Sequence, residues 1–247
     1  MKNIIFKVIT LLTTLVALPT PVYAEMIDQQ KLLFDIKTEA LIKGDIHYSF
    51  SLSSAKNLLD RAPDLQDLDS TGIFKDPETK ILFNKIAYVV KKPVSFFDHK
   101  QVMDPEYLKH VMKGQKVEQI SENSFKVTTS GLMGYSYNLR MSYDSDDVSS
   151  MPQRNVTQIV TNSKRLDVIS QSAYSSVYRE LSDFSKYTKN AISVTHHIPL
   201  SDSKTLVITY NISAVKKFFA IEKIIRPNFL KEIQTVKQMT DSFKPAP

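Results

Sequence analysis

Between residues 116 and 212 the chain places eight segments of β-forming character very close together. They run 116–121, 124–129, 134–143, 155–161, 165–170, 173–181, 190–198 and 204–212. Most of the gaps are shorter than the dozen or so residues that a parallel crossover needs, so the segments must pair as an antiparallel meander. Turn chemistry joins several of them, as at Glu122-Asn123 and Asn162-Ser163-Lys164. The clearest segment is Gly134 to Tyr143. There Tyr135, Tyr137, Leu139, Met141 and Tyr143 alternate with Ser136, Asn138, Arg140 and Ser142. Such alternation predicts one packed face and one wet face. Leu206, Ile208, Tyr210 and Ile212 repeat it near the end of the meander, and the polar run Asp144 to Pro152 reads as a long loop.

Helical patterns flank this region. Ile27, Leu32, Leu33, Ile36, Ala40 and Leu41 recur at three- and four-residue spacing, which predicts a helix over 25–43 stopped by Gly44. Ile46 to Leu52 alternates as a strand. Ser53 or Ser54 is placed to cap a short helix through Ala62, which Pro63 would end. Ile81 to Lys92 is a β-rich run closed by Pro93. Val94 to Met112 reads as one or two short helices, with Pro105 at a helix start and Gly114 past the end. After the meander, Phe218 to Ile225 forms an apolar cluster, and Pro227 is expected to open a new helix. In that helix Phe229, Ile233, Val236, Thr240 and Phe243 make one stripe, and the inner face of the sheet is the surface available to cover it.

The first 24 residues have the layout of a secretory signal peptide. Lys2 and Lys7 precede an apolar run from Val8 to Leu18. Pro19 and Pro21 then break it, and Val22-Tyr23-Ala24 offers small residues for cleavage after Ala24. A periplasmic or secreted protein is expected. The chain has no cysteine, which excludes disulfide frameworks, thiolate catalysis and Cys-ligated zinc. At 247 residues and 42% hydrophobic it can build a self-sufficient core without them. The net charge of +6 is spread without a basic stripe. Nucleic acid is therefore not an expected partner, whereas contact with an anionic membrane surface stays open. The division expected is a leader (1–24), a mostly helical N-terminal extension (25–78) and a domain over 79–247.

The order of elements in that domain is a strand, a short helical pair, antiparallel strands and a long last helix. It resembles the START-like, or SRPBCC, superfamily, whose members include polyketide cyclases. Val90 to Gly114 (VKKPVSFFDHKQVMDPEYLKHVMKG) is similar to the family's first-strand exit and its Asp-Pro-Glu-x-Leu turn. Here that turn is Asp104, Pro105, Glu106, Tyr107 and Leu108. Val117 to Val127 resembles the hairpin that follows. The resemblance spans about residues 79–244. It implies an α+β helix-grip fold, in which a curved antiparallel sheet wraps on the C-terminal helix and encloses a cavity. The glycine motif of the family's allergen branch is absent, and eight strand candidates stand where the family has six. Residues 150–185 are therefore either an insertion or miscounted strands.

That resemblance implies an apolar ligand, a lipid or another hydrophobic small molecule, held between sheet and helix. Tyr135, Tyr137, Leu139, Met141, His196, Ile208, Tyr210, Phe229 and Ile233 are the expected lining. His196 and His197 must point to opposite faces of a strand. His196 shares its side with Val194 and Ile198, so it is the one expected inside, either as a pocket base or as a bonded core histidine. His99 and His110 would share a face only on one continuous helix. Asp144, Asp146 and Asp147 lack the glycine and distal glutamate of a calcium loop. No serine-hydrolase elbow, zinc-protease motif or phosphate loop occurs. No metal or cofactor is expected. Two further readings remain: a cell-envelope module that docks a protein partner through residues 27–42, and a cyclase- or hydrolase-type enzyme using His196.

Overall fold

The computed structural model describes residues 38–60, 72–129, 135–144, 173–185, 188–215 and 221–245. The expected leader, most of the helix over 25–43, and the strand candidates 155–161 and 165–170 lie outside the described residues, as do Asp146 and Asp147.

The described chain begins with helix α1 (Thr38–Lys43), strand β1 (His47–Ser54) and helix α2 (Ala55–Leu59). Strand β2 (Lys80–Val90) follows. A 3-10 turn (Val94–Phe97) then leads to the short helices α3 (His99–Val102) and α4 (Pro105–Val111). The meander comprises β3 (Gln115–Ser121), β4 (Ser124–Thr129), β5 (Ser136–Asp144), β6 (Ser175–Ser182), β7 (Thr188–Ser201) and β8 (Lys204–Val215). Helix α5 (Ile221–Ser242) comes last. All strands join one curved eight-stranded sheet in the order β1-β2-β8-β7-β6-β5-β4-β3, and every neighbouring pair is antiparallel. The fold is α+β, of the helix-grip kind. The N-terminal strands join the meander because β8 returns to pair with β2, from Lys80↔Val215 to Val90↔Thr205.

Local chemistry sets the boundaries. Gly44, at φ 115°, ends α1. Its N–H reaches the Leu41 carbonyl (3.1 Å), and the Asp45 N–H reaches the Ala40 carbonyl (3.0 Å), so the last carbonyls of the helix are satisfied. Ser54 caps α2 by accepting the Asn57 N–H at 3.2 Å. Asp98 and Asp104 cap α3 and α4 in the same way, at 2.7 and 2.9 Å, and Pro105 occupies the first turn, where its missing N–H costs nothing.

Both faces of the sheet are covered. One face carries Ile86, Tyr88, Val90, Phe125, Val127, Tyr137, Leu139, Met141, Val177 and Val207. These pack with Phe97, Leu108 and Ile233 of the helices. We call this the helix face. On the opposite, outer face Leu41 of α1 packs with Ala87, Val89, Ile198, Leu206, Ile208 and Tyr210. Ala55, Ile73 and Phe74 cover Ile81, Tyr178, Ile192, Val194 and Ile212 there. The N-terminal segment thus supplies both an edge strand, β1, paired with β2 from His47↔Ala87 to Ser54↔Lys80, and a lid for the outer face.

Two expectations need correcting. Pro227 does not open a new helix: it lies within the single element Ile221–Ser242. An interior proline costs a helix about 3 kcal/mol, so periodicity alone places a boundary there. Of the eight strand candidates after the helical pair, six are strands, and 155–161 and 165–170 lie outside the described residues. His196 lies on the outer face, because its partner across the ladder is Ile208, whereas His197 pairs with Val207 of the helix face.

Candidate functional site

The helix face has two apolar wings and a polar middle. One wing is Ile86, Tyr88 and Val90 on β2. The other is Phe125 and Val127 on β4 with Tyr137, Leu139 and Met141 on β5. Between them run β6, β7 and β8. The register puts Arg179, Ser193, Thr195, Thr209, Asn211 and Ser213 on this same face of those strands. Arg179 Nη1 donates to Thr195 Oγ1 at 2.7 Å, and Thr195 Oγ1 lies 3.0 Å from Thr209 Oγ1.

Helix α5 is fastened at the β2 side of this surface. Phe229 stacks against Tyr48 of β1 with ring centroids 5.4 Å apart. At the other end Asp241 Oδ1 accepts the Lys91 N–H, and Lys92 Nζ donates to the Phe243 carbonyl at 2.6 Å. The Tyr107 hydroxyl meets Thr240 Oγ1 at 3.3 Å, and the Tyr107 and Phe243 rings are 5.2 Å apart. These contacts hold the helix over β1, β2 and α4. They leave β8 less covered on this face than its neighbour β7, whose Ser193, Thr195 and His197 are buried. Thr209, Asn211 and Ser213 alternate half-buried with the fully packed Ile208, Tyr210, Ile212 and Ala214, which face outward.

The electrostatics of this middle are one-sided. Arg179 is half-buried and has no carboxylate in ion-pair distance among the described residues. Tyr88, Tyr107 and Tyr137 lie close enough to feel its charge. Burial pushes all three phenols up, so they stay neutral hydrogen-bond donors. Tyr135, next to Tyr137 with rings 5.9 Å apart, is pushed up to about 12 by burial and by the nearby Glu232 carboxylate. Glu232 of α5, itself raised by burial, acts on Tyr135 and Tyr137.

The expected lining therefore divides in two. Tyr135, Tyr137, Leu139, Met141, Phe229 and Ile233 come together on the helix face. His196, Ile208 and Tyr210 come together on the other side of the sheet, under α1. His196 is fully buried and its Nδ1 is 2.8 Å from Ser176 Oγ; desolvation lowers its pKa to about 4. His197 is also buried. Its Nδ1 is 2.9 Å from Ser175 Oγ, and its ring stacks on Phe97 at 4.1 Å. Each histidine is thus a bonded core residue and not a base open to a substrate. His99 and His110 sit on separate helices, against Tyr143 and Ser242 respectively. The described residues also outline a cavity of about 350 Å³ on the outer face, lined by Ser124, Asn138, Arg140, Glu180 and Ser182. An Arg140–Glu180 ion pair occupies its wall. Among the described residues no three acidic or histidine side chains gather as a metal site, and no helix is long and apolar enough to cross a membrane.

Sequence reasoning missed Arg179. A lone arginine in a strand reads as a solvated residue, but its parity places it with Val177 and Leu181, and that was the available signal.

No protein-family model matches the chain, and no curated protein does. Solved structures similar to it include a START superfamily protein from Mycobacterium smegmatis, 8% identical with a TM-score of 0.44, over 64% of this chain and 94% of that one. The Zhui aromatase/cyclase from Streptomyces sp. R1128 is also similar, at 8% identity and a TM-score of 0.43, over 65% of this chain and 94% of that one. A conserved protein from Geobacillus kaustophilus is 16% identical with a TM-score of 0.40, over 65% and 95%.

Proposed function

We propose that this chain is an exported protein, periplasmic or secreted, that carries or senses a lipid or other hydrophobic small molecule held between the sheet and α5. The observation that carries this reading is the incompletely covered helix face, where Thr209, Asn211 and Ser213 stay half-buried between apolar wings. A molecule seated there would lay apolar groups on Tyr137, Leu139, Met141 and Ile233. Each buried methylene is worth about 0.8 kcal/mol, so a chain of about a dozen gains roughly 10 kcal/mol. Association costs of at least about 4 kcal/mol offset part of that gain and leave micromolar binding within reach. Export follows from the leader-like residues 1–24.

The reading is tested by filling the space. Asn211→Trp should abolish the fluorescence enhancement of Nile red bound to the purified protein while leaving its urea midpoint within about 1 kcal/mol of wild type. Unchanged dye binding in a folded Asn211→Trp protein would contradict a ligand site on this face.

A further inference from the structure

The middle of the helix face sets the Arg179 guanidinium among neutral hydroxyl and amide side chains. Arg179 spends one N–H on Thr195 Oγ1, which leaves the rest of its planar fork unengaged by any described residue. Tyr88 and Tyr137 are buried, 8% and 7% exposed. Both sense the Arg179 charge from strands on either side of it. A guanidinium withdrawn from water without a counter-charge is costly, because its desolvation is not repaid. Thr195 and Thr209 repay it only with neutral oxygens. Of the acids of α5, Glu232 acts on Tyr135 and Tyr137 and Asp241 on Tyr88, and neither acts on Arg179.

We propose that Arg179 anchors the carboxylate of an amphipathic ligand whose apolar body lies along Tyr137, Leu139 and Met141. This rests on the reading of the helix face as a ligand site and narrows it from any apolar molecule to a long-chain or aromatic monocarboxylic acid. A single guanidinium supplies one positive charge, which matches a monoanion. Its flat fork fits the two oxygens of a carboxylate side by side. Tyr88 and Tyr137 complete the acceptor's shell as neutral donors. The apolar wings take the remainder of the molecule, so the same compound meets both halves of the surface.

The experiment compares dansyl-undecanoic acid with its methyl ester, titrated into the purified full-length secreted product and into Arg179→Met and Tyr137→Phe variants. The acid should bind wild type at least about tenfold tighter than the ester, the step that one charge-assisted hydrogen-bonded pair supplies. Arg179→Met should bring the acid down to the ester's affinity and leave the ester unchanged. Tyr137→Phe should weaken the acid alone, by a smaller factor. Equal binding of acid and ester to wild type would overturn the carboxylate anchor while leaving the apolar site standing. Failure of wild type to bind either probe would overturn both. If Arg179→Met does not fold, the wild-type acid-to-ester ratio and the Tyr137→Phe variant still decide.

Discussion

At the scale of single residues, burial is what sets the chemistry. His196 shows this most simply. Its ring is sealed on the outer face with Ser176, and the neutral form is favoured there. An imidazole in the unfolded chain titrates near 6.5, whereas the folded group titrates at about 4. Below pH 6.5 the unfolded state therefore takes up a proton that the folded state refuses. Stability is complete above that pH, falls as pH drops toward 4, and levels off below it, a loss of roughly 3 kcal/mol from this one group. His197, lowered in the same direction by burial and by the Arg179 charge, adds to the loss. Urea denaturation between pH 7 and pH 4 should show a falling midpoint in wild type and a flatter one in His196→Gln. An equal slope in both proteins would refute the assignment of the loss to His196. Arg179 is the second case. Its neighbours are hydroxyls, so its positive charge is the feature of the helix face that a ligand would have to answer.

At the scale of elements, the segment before β2 is part of the sheet's own construction. β1 pairs with β2 over its whole length, and Leu41, Ala55, Ile73 and Phe74 cover the outer face. Removing residues up to Ser54 would bare the β2 edge and expose Val89, Leu206 and Ile208 where Leu41 now lies. The truncated protein should lose at least about 3 kcal/mol in urea or aggregate on purification. A truncated protein with the wild-type midpoint would contradict this placement. The same arrangement explains what the sequence could and could not reveal. The alternation in β5 was legible because its even positions, Asn138, Arg140 and Ser142, are polar and its odd positions are not. The order of strands, helical pair and last helix followed from spacing and caps such as Asp104-Pro105. The facing of β7 and β8 was not legible. Their apolar side, with Val194, Ile198, Leu206 and Ile208, is buried under the N-terminal segment and not under α5. The rule that the apolar side faces the helix therefore picked His196, Ile208 and Tyr210 for the wrong face. Two covered faces cannot be told apart by hydrophobicity alone. Pro227 misled for a different reason, because a helix with enough contacts along its length can carry a proline that an isolated one would not.

At the scale of the whole molecule, the two faces of the sheet are covered by different parts of the chain. The outer face is covered by the N-terminal segment at β2, β7 and β8 and holds a cavity beside β4, β5 and β6. The helix face is clamped at β1, β2 and α4, while Thr209, Asn211 and Ser213 of β8 and Arg179 of β6 stay half-buried. That asymmetry is what a carrier of a small amphipathic molecule needs: a rigid wall, an apolar lining at both wings and a few donors to orient the cargo. Native mass spectrometry of protein purified from its producing cells without detergent, followed by solvent extraction, tests this most directly. A discrete added mass that extracts into organic solvent, and that disappears in Asn211→Trp, is the expected result. A bare protein mass that stays bare after incubation with a mixture of lipids and long-chain acids would contradict ligand carriage by this fold.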